Sequence, residues 1–382
     1  MRLDMDTSAL PTLSPGQRIV FDKAELDTLI ALLKEDGFTV IGPTARDGAI
    51  LYDEISSLDD LPVGLVDEQE AGTYRLHEDD RGRYFAYTVG PQAWKKFLFP
   101  PTLTLWRAVK KNGEVVIDIP SVESPRYAFL GVRACDLAAI GIQDVIFTQG
   151  AYVDPFYKER RERVFIVAVN CTRAGNTCFC ASMNTGPAVQ GTFDIALTEL
   201  DDVFLAQVGT ERGGSVLVNL PHRTATEAEV EEAARRVEEA RAQMGRQMET
   251  AHLKETLLNA WEHPRWEEVA KRCLACANCT LVCPTCFCFT VQDVTDLTGE
   301  QMERVRLWDS CFNLEFTYTA GRPMRSSTAA RYRQWLTHKL AGWQEQFGMI
   351  GCVGCGRCIT WCPVGIDITE EVSAIVAPKA ER

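Results

Sequence analysis

The stretch Cys273-Leu274-Ala275-Cys276-Ala277-Asn278-Cys279-Thr280-Leu281-Val282-Cys283-Pro284 decides how the rest of this chain is read. Its spacing is C-x2-C-x2-C-x3-C-P, and it recurs as Cys352, Cys355, Cys358, Cys362 and Pro363. Thiolates that close together can surround a cubane of iron and sulfide, with the x2 gaps wrapping three corners. The fourth cysteine, expected to open a helix, points toward a neighbouring cluster; in two-cluster ferredoxins it ligates that other cluster. The expected sets are Cys273, Cys276, Cys279 with Cys362, and Cys352, Cys355, Cys358 with Cys283. A zinc site usually needs two C-x2-C pairs and no trailing Cys-Pro, and a disulfide framework suits short secreted chains. Two complete copies in one chain favour two [4Fe-4S] clusters over both.

Working outward, 382 residues are enough for two or three domains with their own cores. The chain is 46% hydrophobic and 24% charged, an ordinary globular composition. No basic-then-apolar signal segment and no apolar run of bilayer-spanning length is visible, so a cytoplasmic protein is expected. Fifteen cysteines in a reducing compartment imply metal or redox chemistry rather than disulfides. The net charge of −13 argues against nucleic acid as partner, and so against clusters that merely staple a nucleic-acid protein.

The pattern predicts an α+β chain: an α/β domain with a partly parallel sheet over 1–223, a helical connector over 224–250, and a helical dicluster ferredoxin domain over 251–382. Leu26, Leu29, Ile30 and Leu33 have helical spacing, and Phe38 to Ile41 reads as a strand that Ala49 to Tyr52 would pair. Val115 to Ile119 is a further strand candidate. The continuous apolar runs Tyr127 to Val132 and Val164 to Val169, with a helical pattern between them, read as a parallel βαβ unit. Strands are also expected within Asp194 to Val208 and over Ser215 to Leu220. Thr224 to Met248 reads as a solvated helix. Met302 to Phe316 and Met324 to Phe347 are read as an inserted helical pair between the two cysteine motifs.

The motifs use eight cysteines and leave seven. Cys135 and Cys171 follow the two buried strands, where functional groups of open α/β sheets gather, and Cys178 and Cys180 follow in a loop. These four are the right number for a third cluster; alternatively they are small buried hydrophobes. Cys286, Cys288 and Cys311 are left open between core thiols, neighbours that tune a cluster through S–H contacts, and ligands to an extra cluster. No Rossmann fingerprint, Walker loop or H-E-x-x-H occurs, so no flavin or nucleotide site and no catalytic site of the chain's own is evident. Asp136 is read as a cap of the helix it begins rather than as a catalytic acid. Arg322, Arg325, Arg331 and Arg333 are read as a solvated basic face.

Four blocks give a more specific signal. These are Phe129 to Asp136 (FLGVRACD), Asn170-Cys171 through Cys178-Phe179-Cys180, Cys283 to Phe289 (CPTCFCF) and Trp308-Asp309-Ser310-Cys311. With Gly90-Pro91 and Lys95 to Pro100 (KKFLFP), they resemble the beta subunit of cytoplasmic NiFe hydrogenases of the sulfhydrogenase type. The pattern is also similar to the electron-transfer subunit of anaerobic sulfite reductase. The resemblance runs from about residue 80 to the C-terminus. It implies an iron–sulfur electron carrier between a flavin subunit that handles NAD(P) and the small and large hydrogenase subunits, or the sulfite reductase subunits.

Overall fold

The computed structural model describes residues 13–111, 113–120 and 125–377. Three strands open it, β1 (Arg18–Asp22), β2 (Thr39–Arg46) and β3 (Ala49–Glu54), followed by the hairpin β4 (Leu65–Glu70) and β5 (Thr73–Glu78) and the pair β6 (Thr102–Lys111) and β7 (Glu114–Asp118). The two apolar runs form β8 (Tyr127–Arg133) and β9 (Phe165–Val169), then come β10 (Ile195–Glu199), β11 (Val203–Val208) and the short β12 (Arg223–Thr224). They build a mixed sheet in the order β12-β1-β11-β10-β9-β8-β2-β3. Its centre, β2-β8-β9-β10, is parallel. β8 and β9 are buried on both faces, as their uninterrupted apolar sequence requires. The helix Glu25–Glu35 lays Leu26, Leu29, Ile30 and Leu33 on one face, and the helix Ala134–Thr148 covers the other with Leu137, Ile140 and Phe147.

Two expected elements differ. Ser215 to Leu220 is not a strand: the helix Glu211–Leu217 runs into it, started by Thr210, whose Oγ1 accepts the Gly213 N–H at 3.1 Å. Val216, Leu217 and Leu220 suit a helix face as well as a strand, and the cap at Thr210 decides. Met302 to Phe316 is not a helix: β13 (Phe289–Thr295) and β14 (Gln301–Trp308) form an antiparallel hairpin. Asp296 closes its turn by accepting the N–H groups of Glu300 and Gln301. β14 also pairs with β6, giving a sheet in the order β13-β14-β6-β7 drawn from both halves of the chain. The segment between the cysteine motifs is thus that hairpin, a short antiparallel pairing of Tyr318–Thr319 with Arg322–Pro323, and one helical run, over Thr328–Thr337, a π turn at His338–Gly342 and Trp343–Phe347. The helix expected from Thr224 forms over Glu227–Ala242, with a reciprocal cap between Thr226 and Glu229.

Candidate iron–sulfur centres

The two motifs share one local backbone. In each, a loop carries the first cysteines and a single helical turn, Asn278–Leu281 or Arg357–Thr360, fills the x3 gap. The fourth cysteine therefore follows a helical turn instead of opening a helix. Ala275 N–H donates to Cys273 Sγ at 3.4 Å, and Gly354 N–H donates to Cys352 Sγ at 3.5 Å. Ala275 and Ala277 have φ of 51° and 68°, matching Gly354 and Gly356 at 62° and 76°. Glycine is needed only in the second motif. A Cβ on Gly354 would stand 2.5 Å from the Phe179 carbonyl oxygen, and one on Gly356 would stand 2.4 Å from that of Thr177. The second motif is packed against the loop that carries Cys178 and Cys180.

Cys273, Cys276, Cys279 and Cys362 line one cavity, walled by Phe312, Tyr332 and Trp335, with Cys358 of the other motif in its wall. Cys135, Cys171, Cys178 and Cys180 line a second cavity, with Cys355 in its wall. Burial and then neighbouring thiolates, Cys283 among them, raise the thiols of Cys355 and Cys358. Burial likewise pushes Cys178 and Cys352 up to about 12. Thiols held this way are protonated near neutrality, so a metal that binds here must displace protons. Among the described residues no three His, Cys, Asp or Glu side chains close around a single ion; two of the three expected sets, Cys273, Cys276, Cys279 with Cys362 and Cys135, Cys171, Cys178 with Cys180, each line one cavity.

Asp136, expected as a cap, caps nothing. It is 1% exposed and accepts both arms of Arg357, Nη1 to Oδ1 at 2.8 Å and Nη2 to Oδ2 at 2.9 Å. Arg357, 0% exposed, sits between Cys355 and Cys358 and also donates Nε to the Gly90 carbonyl at 2.9 Å. The Tyr52 hydroxyl completes the carboxylate at 3.2 Å. Arg133 donates to the carbonyls of Phe85 and Tyr87 and points Nη1 at Cys171 Sγ, 4.0 Å away. Arg331 is not on a solvated face: it is buried and donates to the Arg325 and Ser326 carbonyls.

Two buried lysines meet at Cys283. Lys339, in the π turn, donates to Cys283 Sγ at 3.3 Å, Cys286 Sγ at 3.4 Å, Thr285 Oγ1 at 3.2 Å and the Gly351 carbonyl at 3.1 Å. Burial opposes its charge, but the sulfurs around it, the Cys283 thiolate first, hold the ammonium well above its ordinary range. Lys95, over the Trp308 ring at 4.0 Å, donates to the carbonyls of Cys283 and Cys286. The remaining cysteines divide: Cys286 acts on Cys283, whose thiol is held well below its ordinary range as the thiolate of the pair, whereas Cys311 acts on Cys288 and lowers it. Lys339 was legible, since it occupies the apolar stripe Tyr332, Trp335, Leu336, Lys339, Leu340, where a charge needs a partner.

Two C-x2-C-x2-C-x3-C-P loops, the first of them lining a cavity shared by Cys273, Cys276, Cys279 and Cys362, have the make-up of an iron–sulfur protein. A family model described as a 4Fe-4S dicluster domain matches residues 272–366. Over 340 residues the chain is 29% identical to Sulfhydrogenase 2 subunit beta of Pyrococcus furiosus, covering 88% of this chain and 91% of that one. The resemblance to hydrogenase beta subunits read from the motifs is borne out, and with it an iron–sulfur electron-transfer role. No solved structure matches the chain. Among the described residues no helix is long and apolar enough to cross a membrane.

Two substitutions test the packing around the second motif. Asp136→Ala strands a buried guanidinium and should cost about 3–5 kcal/mol in denaturant unfolding, with Asp136→Ala and Arg357→Met together costing less than the sum of the two. Gly356→Ala should destabilise, while Ala277→Gly, at the matching position, should stabilise by about 1 kcal/mol by relieving a left-handed alanine; thermal unfolding of both variants checks the contrast.

Proposed function

We propose that this chain is the electron-transfer subunit of a multisubunit cytoplasmic NiFe hydrogenase of the sulfhydrogenase type. It would stand between a flavin subunit that handles NAD(P) and the small and large catalytic subunits. Cys273, Cys276, Cys279 and Cys362 would hold one [4Fe-4S] cluster, Cys352, Cys355, Cys358 and Cys283 a second, and Cys135, Cys171, Cys178 and Cys180 a third. Bound there, clusters supply one-electron exchange, whereas NAD(P) takes a hydride; hence the flavin partner.

The observation that carries this reading is the shared walls. Cys358 lines the first tetrad's cavity and Cys355 lines the third's, so the second motif borders both, which supports a relay through it. The chain's own residues exclude water, with Phe312, Trp335, Ile366 and Ile368 at the first site and Val89, Ala134 and Pro187 at the third. They also place buried cations beside the ligand sets: Arg133 at Cys171, Lys339 at Cys283, Arg357 at Cys355 and Arg331 among the charges felt by Cys273.

Anaerobically purified chain should carry about twelve iron atoms, falling to about eight in Cys171→Ser. Eight in both would remove the third centre, and none would remove the reading. In the native complex a nickel-bearing subunit should co-purify; a sirohaem subunit in its place would overturn the hydrogenase assignment. Lys339→Met should keep its iron but lower one midpoint potential in an EPR redox titration by on the order of 100 mV, since a unit charge a few ångströms away is worth about 4 kcal/mol before relaxation.

A further inference from the structure

Cys288 and Cys311 are used by none of the three tetrads. The hairpin brings them together: Phe289 pairs with Trp308, and the Asp309 N–H donates to the Cys288 carbonyl at 2.9 Å, so the two cysteines flank the open end of β13 and β14. Both cysteines line one groove, and Cys311 is the neighbour that most lowers the Cys288 thiol. The pair faces an open groove of about 600 Å³ lined by Phe287, Phe316, Phe347, Arg325 and His338. His338 of the groove's lining is followed in the chain by Lys339, which donates to Cys283 and Cys286.

We propose that Cys288 and Cys311 form a redox-active dithiol that reduces a low-molecular-weight organic disulfide bound in this groove. The inference rests on the reading that Cys283 holds an iron–sulfur centre, which would serve as the reductant. In the first half, Cys288 thiolate attacks one sulfur of the substrate and releases one thiol; Cys311 then attacks Cys288 and releases the second. Two substrate thiols and a Cys288–Cys311 disulfide result, and the two hydrogens of the dithiol end on the products. In the second half, two electrons, delivered one at a time, and two protons restore the dithiol. The contact with Cys311 brings the Cys288 thiol down to about 7, which suits it as the attacking sulfur. Phe287, Phe316 and Phe347 give the groove an apolar lining for the organic part of the substrate, and Arg325 adds a cation at its wall.

The test uses the full-length, anaerobically purified chain with hydroxyethyl disulfide as probe. After exposure and alkylation, peptide mapping should link Cys288 to Cys311 with iron content unchanged, and dithionite should reverse the link. Cys288→Ser and Cys311→Ser should keep the wild-type iron and lose dithionite-driven reduction of the probe by about tenfold or more. The proposal is overturned if either variant loses about four irons, which would make these thiols cluster ligands. It is also overturned if no such link forms, or if the variants reduce the probe as fast as wild type. A wild-type chain that forms the link but carries no iron would sink the relay reading and leave the thiol exchange standing.

Discussion

The buried pair of Asp136 and Arg357 is the constraint on which the arrangement of the centres depends. Each charge costs several kcal/mol to bring out of water, and only near-complete hydrogen bonding offsets that cost. Here the carboxylate takes a two-pronged guanidinium and the Tyr52 hydroxyl, while the third direction of the guanidinium is taken by the Gly90 carbonyl. The partners come from opposite halves of the chain, one from the helix behind β8 and one from within the second cysteine motif. The fork fixes orientation as well as distance, so the turn that carries Cys355 and Cys358 cannot rotate against the helix that carries Cys135. That is why a cysteine of the C-terminal motif ends up in the wall of a cavity whose other thiols belong to the β-sheet half.

The same logic extends to charge. Many thiols are gathered into the interior of a chain whose net charge is already −13, and burial alone pushes most of them toward the neutral form. Buried anions need buried cations. Arg133, Arg331, Lys339 and Arg357 supply them, each fixed by backbone carbonyls or a carboxylate as well as by proximity to sulfur. Cys283 shows the result most clearly, since a hydrogen bond from Cys286 and the Lys339 ammonium together keep it below the ordinary thiol range.

Spacing made the two motifs readable, because ligand geometry is local in the chain. The parallel strand pair was readable too, because strands buried on both faces must be apolar throughout. Three features depended on partners distant in sequence. Met302 to Trp308 carries mixed apolar spacing that fits a helix in isolation, and pairing with β6 on one side and β13 on the other makes it a strand. Asp136 stands where a cap residue could stand, and only Arg357, far along the chain, shows that it faces inward. The adjacency of Cys288 and Cys311 follows from the hairpin register, so a helical reading of the same residues hid it.

The two motifs are alike in backbone and unlike in surroundings, and the difference gives the molecule a direction. Ala275 and Ala277 hold left-handed conformations in the first motif, where Leu274 is 62% exposed and Cys276 reaches the surface. Their counterparts Gly354 and Gly356 cannot carry a side chain, because the backbone of Thr177 and Phe179 lies against them. The first set of thiols is therefore open to a partner on one side, while the second is enclosed, with the first behind it and the third in front. Two loops of the same cysteine spacing are in this way made unequal by what packs against them. The α/β half meets the second motif at several points, the loop of Cys178 and Cys180 at Gly354 and Gly356, the Asp136 carboxylate and Gly90 carbonyl at Arg357, and Gln69 at Thr360, and these contacts together seat it against a further set of four cysteines.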